Sequence, residues 1–109
     1  MQIFCHRFGK YLTNQNGETN WADKTENPLE RQWFKVQVSP GNWQFLSAVN
    51  NRPLECGHER FGRIGELGSV SFANTFQTER HGDKDFIVHD NYCLQAHDSH
   101  KARWNDHDR

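Results

Sequence analysis

The sequence predicts an all-β domain: no segment carries a helical apolar stripe, several alternate with a period of two, and turn residues separate them at short intervals. Every candidate i, i+3, i+4, i+7 apolar series is interrupted by Asn, Gly, Asp or Pro. Phe34-Lys35-Val36-Gln37-Val38, Trp43-Gln44-Phe45 and Val70-Ser71-Phe72 alternate apolar with polar, and Phe86-Ile87-Val88 does so more loosely. Asn14-Gln15-Asn16-Gly17, Ser39-Pro40-Gly41-Asn42, Asn50-Asn51, Cys56-Gly57, His81-Gly82-Asp83 and His89-Asp90-Asn91 supply turns between them. Short strands joined in this way, roughly 8 to 12 residues apart, build a barrel or a sandwich.

A chain of 109 residues is the size of one domain. Leu, Ile, Val and Phe together number only 22, but 4 Trp, 8 Phe and 2 Tyr with a net charge of -1 point to a small core built from aromatics. The balance of 13 Lys and Arg against 14 Asp and Glu leaves no electrostatic footprint for nucleic acid or an anionic membrane. Apolar runs reach three residues, as in Ile3-Phe4-Cys5, too short for a membrane span or a secretory signal. Met1-Gln2 is not a myristoyl acceptor. Cys5, Cys56 and Cys93 fit neither a disulfide framework nor a CxxC zinc site, so three reduced, half-buried thiols and a cytoplasmic location are expected.

The elements repeat. Gly9-Lys10-Tyr11 leads into Leu12, which is followed by Trp21 after 9 residues and by Phe34 after 22. Asn51-Arg52-Pro53 leads into Leu54, 42 residues after Leu12, followed by Ile64 after 10 and Phe76 after 22. Asn91-Tyr92-Cys93 leads into Leu94, 40 residues after Leu54, followed by Trp104 after 10. Three units result, covering about residues 1–42, 43–84 and 85–109, each planned as four strands. Three propeller blades are too few to close a ring, so the threefold solution is a closed barrel capped by hairpins.

The segment Gln2-Ile3-Phe4-Cys5-His6-Arg7-Phe8-Gly9-Lys10-Tyr11-Leu12-Thr13, with Gln32-Trp33-Phe34-Lys35-Val36 closing the unit, resembles a repeat of the β-trefoil proteins of the fascin and hisactophilin type. The likeness is good over the first unit, fair from Trp43 to Phe76 and partial from Phe86 to Trp104. It implies a twelve-strand barrel of pseudo-threefold symmetry and binding to actin filaments without catalysis. Fibroblast-type growth factors and trefoil lectins share similar glycine-aromatic-leucine turns. This chain departs from the pattern in having fewer histidines than hisactophilin-like chains, no Met-Gly start, and one domain where fascin has four. Actin contacts do not carry over, because the matching positions Gly9, Tyr11 and Leu12 shape the core and turns.

No enzyme, cofactor or metal site is expected. Cys5 and His6 are adjacent on a strand and face opposite ways, and Ser47, Ser69, Ser71 and Ser99 lie outside any GxSxG motif. Glu55, Glu59 and Glu66 flank turns and read as surface charge. Phe61-Gly62-Arg63-Ile64-Gly65-Glu66-Leu67-Gly68 lacks the phosphate-loop pattern and precedes no helix, so it reads as a flexible hairpin. His89-Asp90, His97-Asp98-Ser99-His100 and Asp106-His107-Asp108 read as solvated polar loops, since residues three apart on a strand do not share a face. The 7 histidines would give a weak pH response.

Trp21 and Trp104 occupy matching points in units one and three and admit two readings. They close the base of the barrel, as Ile64 would in unit two. Alternatively they stack on sugars, with Asn20, Asp23, Asn105 and Asp106 as hydroxyl partners, although Gln32 and Trp33 are adjacent and the lectin Gln-x-Trp motif is absent. The two functions expected are therefore actin-filament binding and carbohydrate binding. The 22-residue spacing applied to Leu94 falls beyond Arg109, so unit three is expected either to lack its closing strand, leaving an edge open to self-association or to further chain, or to close in a shortened form with Trp104 plugging the gap.

Overall fold

A computed structural model describes residues 1–23 and 27–106; His107 and Asp108 of the C-terminal cluster lie outside the described residues. Among these residues the chain forms eleven strands and three single-turn 3-10 helices. The first unit holds β1 (Phe4–Cys5), β2 (Lys10–Gln15), β3 (Glu18–Ala22) and β4 (Trp33–Ser39). The second holds β5 (Asn42–Ser47), β6 (Leu54–Cys56), β7 (Gly62–Ile64) and β8 (Gln77–His81). The third holds β9 (Lys84–His89), β10 (Tyr92–Ala96) and β11 (Ala102–Asn105). No helix of the described residues is long and apolar enough to cross a membrane.

Strand pairing repeats three times in the same register. Hairpins β2–β3, β6–β7 and β10–β11 place Leu12 opposite Trp21, Leu54 opposite Ile64, and Leu94 opposite Trp104. These are the anchor pairs that the spacing predicts. Tight turns set the register: Gly17 and Gly82 take positive φ, which hairpin turns demand and glycine meets without strain. The three hairpins meet one another where Trp21 N–H donates to the His100 carbonyl, Thr19 Oγ1 to the Gly62 carbonyl, and Phe61 bridges to Arg103.

The remaining strands form the barrel. β4 pairs with β5, β5 meets β8 through reciprocal backbone bonds between Trp43 and Phe76, and β8 pairs with β9. Met1 and Trp33 exchange backbone bonds in the same way, joining the start of the chain to β4. Trp33, Phe45, Phe76, Leu12, Leu54 and Trp104 are buried at its centre. The Trp33 indole N–H donates to the Leu12 carbonyl at 3.0 Å, and Phe76 stacks on Trp104 with centroids 5.0 Å apart and planes within 2°.

The structure corrects one expectation about β4. Trp33, not Phe34, is the buried counterpart of Phe76; Phe34 is 53% exposed. Counted from the second hairpin strand the spacings agree, since Trp33 follows Trp21 by 12 residues and Phe76 follows Ile64 by 12. The matching distances of 22 from the leucines arise because the first hairpin is one residue shorter between its anchors, and successive strand residues face opposite sides.

Candidate functional site

The sequence-predicted residues separate into core and rim. Trp21 is 4% exposed and Trp104 is fully buried, so neither ring offers a face to a sugar; both belong to the hydrophobic core. Trp104 is held by Phe76 on its face and by Arg60, whose Nε donates to its carbonyl at 3.0 Å. Asn20 and Asn105 are half-buried on the hairpin strands, and Asp23 and Asp106 are exposed. His97 sits edge-on to Phe61, while Asp98 Oδ1 accepts from the His100 and Lys101 backbone N–H groups at 2.8 and 2.7 Å. Those two hydrogen bonds hold the Asp98 carboxyl below its usual range.

Glu55 is not surface charge. It is 7% exposed, and its carboxylate accepts from Arg63 Nε at 3.0 Å and from Asn74 Nδ2 at 3.1 Å. Asn74, fully buried, also donates to the Ser69 carbonyl and accepts from Gln44 Nε2 and from the Ser71 backbone N–H. Gly62 to Ile64 are strand, and a Cβ on Gly65 would fall 2.3 Å from the Glu55 carboxyl, so close approach is what this glycine provides. The stretch expected to be a flexible hairpin is thus part of a fixed polar network. Nearby Cys56 is half-buried, and burial raises its thiol above the ordinary range despite Arg60 and Arg63.

That network fixes the segment from Gly65 to Thr75 against β5, and the segment carries Leu67, Val70 and Phe72 at 66%, 62% and 70% exposure. β4, which pairs with β5, carries Phe34, Val36 and Val38, all exposed. Gln44 joins the two rows: it stands opposite Val36 in the strand register, and its side chain donates to the Ser69 carbonyl next to Val70. Only Trp33 of β4 is buried; from Phe34 to Ser39 the strand is exposed, with Phe34, Val36 and Val38 on the face opposite Trp33 and Lys35 on the Trp33 face, its ammonium 4.4 Å from the centre of the Trp43 ring. The equivalent outward positions of β8 are Gln77, Glu79 and His81, so the architecture has no need of apolar residues there.

No protein-family model matches the chain, and no curated protein matches it. Among solved structures it is similar to the crystal structure of ThreeFoil, a designed 3-fold symmetric protein, with a TM-score of 0.83 and 12% identity over 98% of this chain and 89% of that one. The chain is a β-trefoil. At that identity the likeness carries the fold alone, and the function has to be argued from the surface this trefoil presents.

Proposed function

We propose that this β-trefoil is a non-catalytic, protein-binding module, and that it contacts actin filaments through the outward face of β4 and the adjoining Gly65–Thr75 segment. The observation that supports this reading is the row Phe34, Val36 and Val38, exposed on a strand whose counterpart in unit two is polar. Exposed apolar side chains at adjacent sites on a small domain mark a contact surface. The fascin-type resemblance of the Gly9-Lys10-Tyr11-Leu12 unit supplies the partner, and a cytoplasmic location follows from that partner. The carbohydrate reading loses its stacking rings, because Trp21 and Trp104 are in the core.

Cosedimentation with filamentous actin tests it. The chain is expected to pellet with filaments, and the double variant Phe34→Glu, Val36→Glu, shown folded by circular dichroism, is expected to remain in the supernatant. A chain that does not pellet overturns the choice of actin. A double variant that pellets as well as the parent overturns the choice of surface, and binding on a glycan array in place of actin would restore the carbohydrate reading.

A further inference from the structure

A second surface, built from other elements than β4, lies along the seam between the β6–β7 hairpin and β11. Ala102 and Trp104 are buried, so Lys101 and Arg103 stand on the outward side of this segment. Phe61 bridges to Arg103 across the seam, and its ring faces two cations: the Arg103 guanidinium is 5.1 Å from the ring centre and the Lys101 ammonium 5.8 Å. The neighbouring Arg60 places its guanidinium 4.2 Å from the centre of the Tyr92 ring.

The two arginines are fixed before any partner arrives. Arg60 Nε donates to the Trp104 carbonyl at 3.0 Å and Arg103 Nε to the Glu59 carbonyl at 2.8 Å, so each is tied across the seam to the residue beside the other. Each is held through Nε, and the terminal Nη groups of both have no partner among the described residues. Among the same residues no carboxylate lies within ion-pair distance of Arg60, Lys101 or Arg103, whereas Arg63 holds Glu55 and Arg80 holds Asp85. Of the acidic residues on these turns, Glu59 is exposed and Asp98 is bonded to the His100 and Lys101 backbone.

The turn that carries Arg60 is strained. Glu59 and Arg60 take positive φ, 54° and 66°. Counted back from Ile64 and Trp21, the equivalent pair in unit one is Asn16 and Gly17, at 54° and 81°. Asn and Gly suit such a turn, whereas Glu and Arg meet steric resistance there. What Arg60 adds in exchange is its bond to Trp104 and a guanidinium edge left free.

We propose that Arg60, Arg103 and Lys101 bind a short acidic segment of another polypeptide, its carboxylates taken by the free Nη edges and by the Lys101 ammonium. A carboxylate meets the outer edge of a guanidinium through two parallel hydrogen bonds. Holding the arginines in place beforehand removes the ordering cost that leaves ordinary exposed ion pairs weak. The row is too short for a nucleic acid, whose affinity grows with the number of phosphates neutralised, and a chain of net charge -1 repels the rest of a long polyanion. A protein segment carries its carboxylates in a local cluster and escapes that penalty. The proposal is independent of what β4 contacts.

The test uses the 109-residue chain and an acetylated, amidated tetraglutamate, with tetraglutamine as the neutral control. Titration calorimetry at low salt is expected to show one-to-one binding of tetraglutamate, no binding of tetraglutamine, and weakening as salt is raised. Two variants are chosen to keep the fold, which circular dichroism checks. Arg60→Gly places at the turn the residue that Gly17 supplies in unit one, and Lys101→Gln alters a side chain that makes no hydrogen bond among the described residues. Each is expected to weaken tetraglutamate binding by about fivefold or more, whereas Arg52→Gln, which removes an exposed cation elsewhere, changes it by less than about twofold. Absence of binding, equal binding of the two peptides, or equal effects of the three variants overturns the proposal. Tighter binding of an oligonucleotide with four phosphates overturns the choice of an acidic polypeptide.

Discussion

Truncating the three anchor leucines one at a time separates a closed barrel from one with an open groove. Leu12 and Leu54 are fully buried, so Leu12→Ala and Leu54→Ala each remove a packed side chain and leave a cavity; about 2–5 kcal/mol is the expected loss at either site. Leu94 occupies the same position in unit three but is half-buried and borders the groove that runs between Met1–Arg7 and Asp83–Ile87. Part of its side chain already meets solvent, and the space left by truncation joins an existing opening instead of forming an enclosed void. Both the transfer and the cavity contributions fall, to a total of about 1–2 kcal/mol. Urea denaturation of the three variants, read as the midpoint shift at constant m, measures the series. The reasoning is refuted if Leu94→Ala costs as much as the other two, or if all three are close to neutral.

Three further outcomes are expected. Asn74→Ala removes the hub shared by Gln44, Glu55, Ser69 and Ser71 and leaves buried polar groups unpaired, so chemical denaturation should show a loss of about 2–5 kcal/mol; a loss near zero would show that the network does not fix the Gly65–Thr75 segment. Burial raises the Cys56 thiol above its ordinary 9.0, so iodoacetamide labelling of Cys56 in the folded chain, followed by mass spectrometry, should stay slow at pH 8 and accelerate only above pH 9; rapid labelling at pH 8 contradicts it. Asp98 is held below its ordinary 3.8 by two backbone N–H groups, so its contribution to stability is present above the unfolded value and is lost as pH falls through the lower folded one; an NMR titration midpoint at or above 3.8 would contradict that geometry.

The repeat was legible because it is written in spacing and pairing. Leu12 with Trp21, Leu54 with Ile64 and Leu94 with Trp104 are short-range hairpin partners, and short-range partners leave their distance in the sequence. What was not legible depends on contacts made at a distance. Glu55 is buried because Asn74, 19 residues on, comes back to it, and no local pattern signals that return. The inward position of Trp33 was hidden because β4 places its apolar residues on the outside, against the usual rule that the apolar phase of an alternating strand faces the core. The outward apolar row stands out once β8 shows what the same positions look like when they carry polar residues. The two tryptophans offered as sugar platforms illustrate the opposite problem, since an aromatic at a repeated position serves core and surface equally well until burial is known.

Three equivalent units surround one barrel, and among the described residues a groove runs between Met1–Arg7 and Asp83–Ile87. Amide hydrogen exchange of the 109-residue chain tests this at matched positions. The Trp43 N–H donates to the Phe76 carbonyl at 2.8 Å, whereas its equivalent, Asp85, faces the groove. Leu46 pairs with Phe34 of β4, whereas its equivalent, Phe4, lines the groove. The structure predicts that Asp85 and Phe4 exchange faster than Trp43 and Leu46 by about a hundredfold or more. Equal protection at the matched amides in a monomeric chain would contradict it.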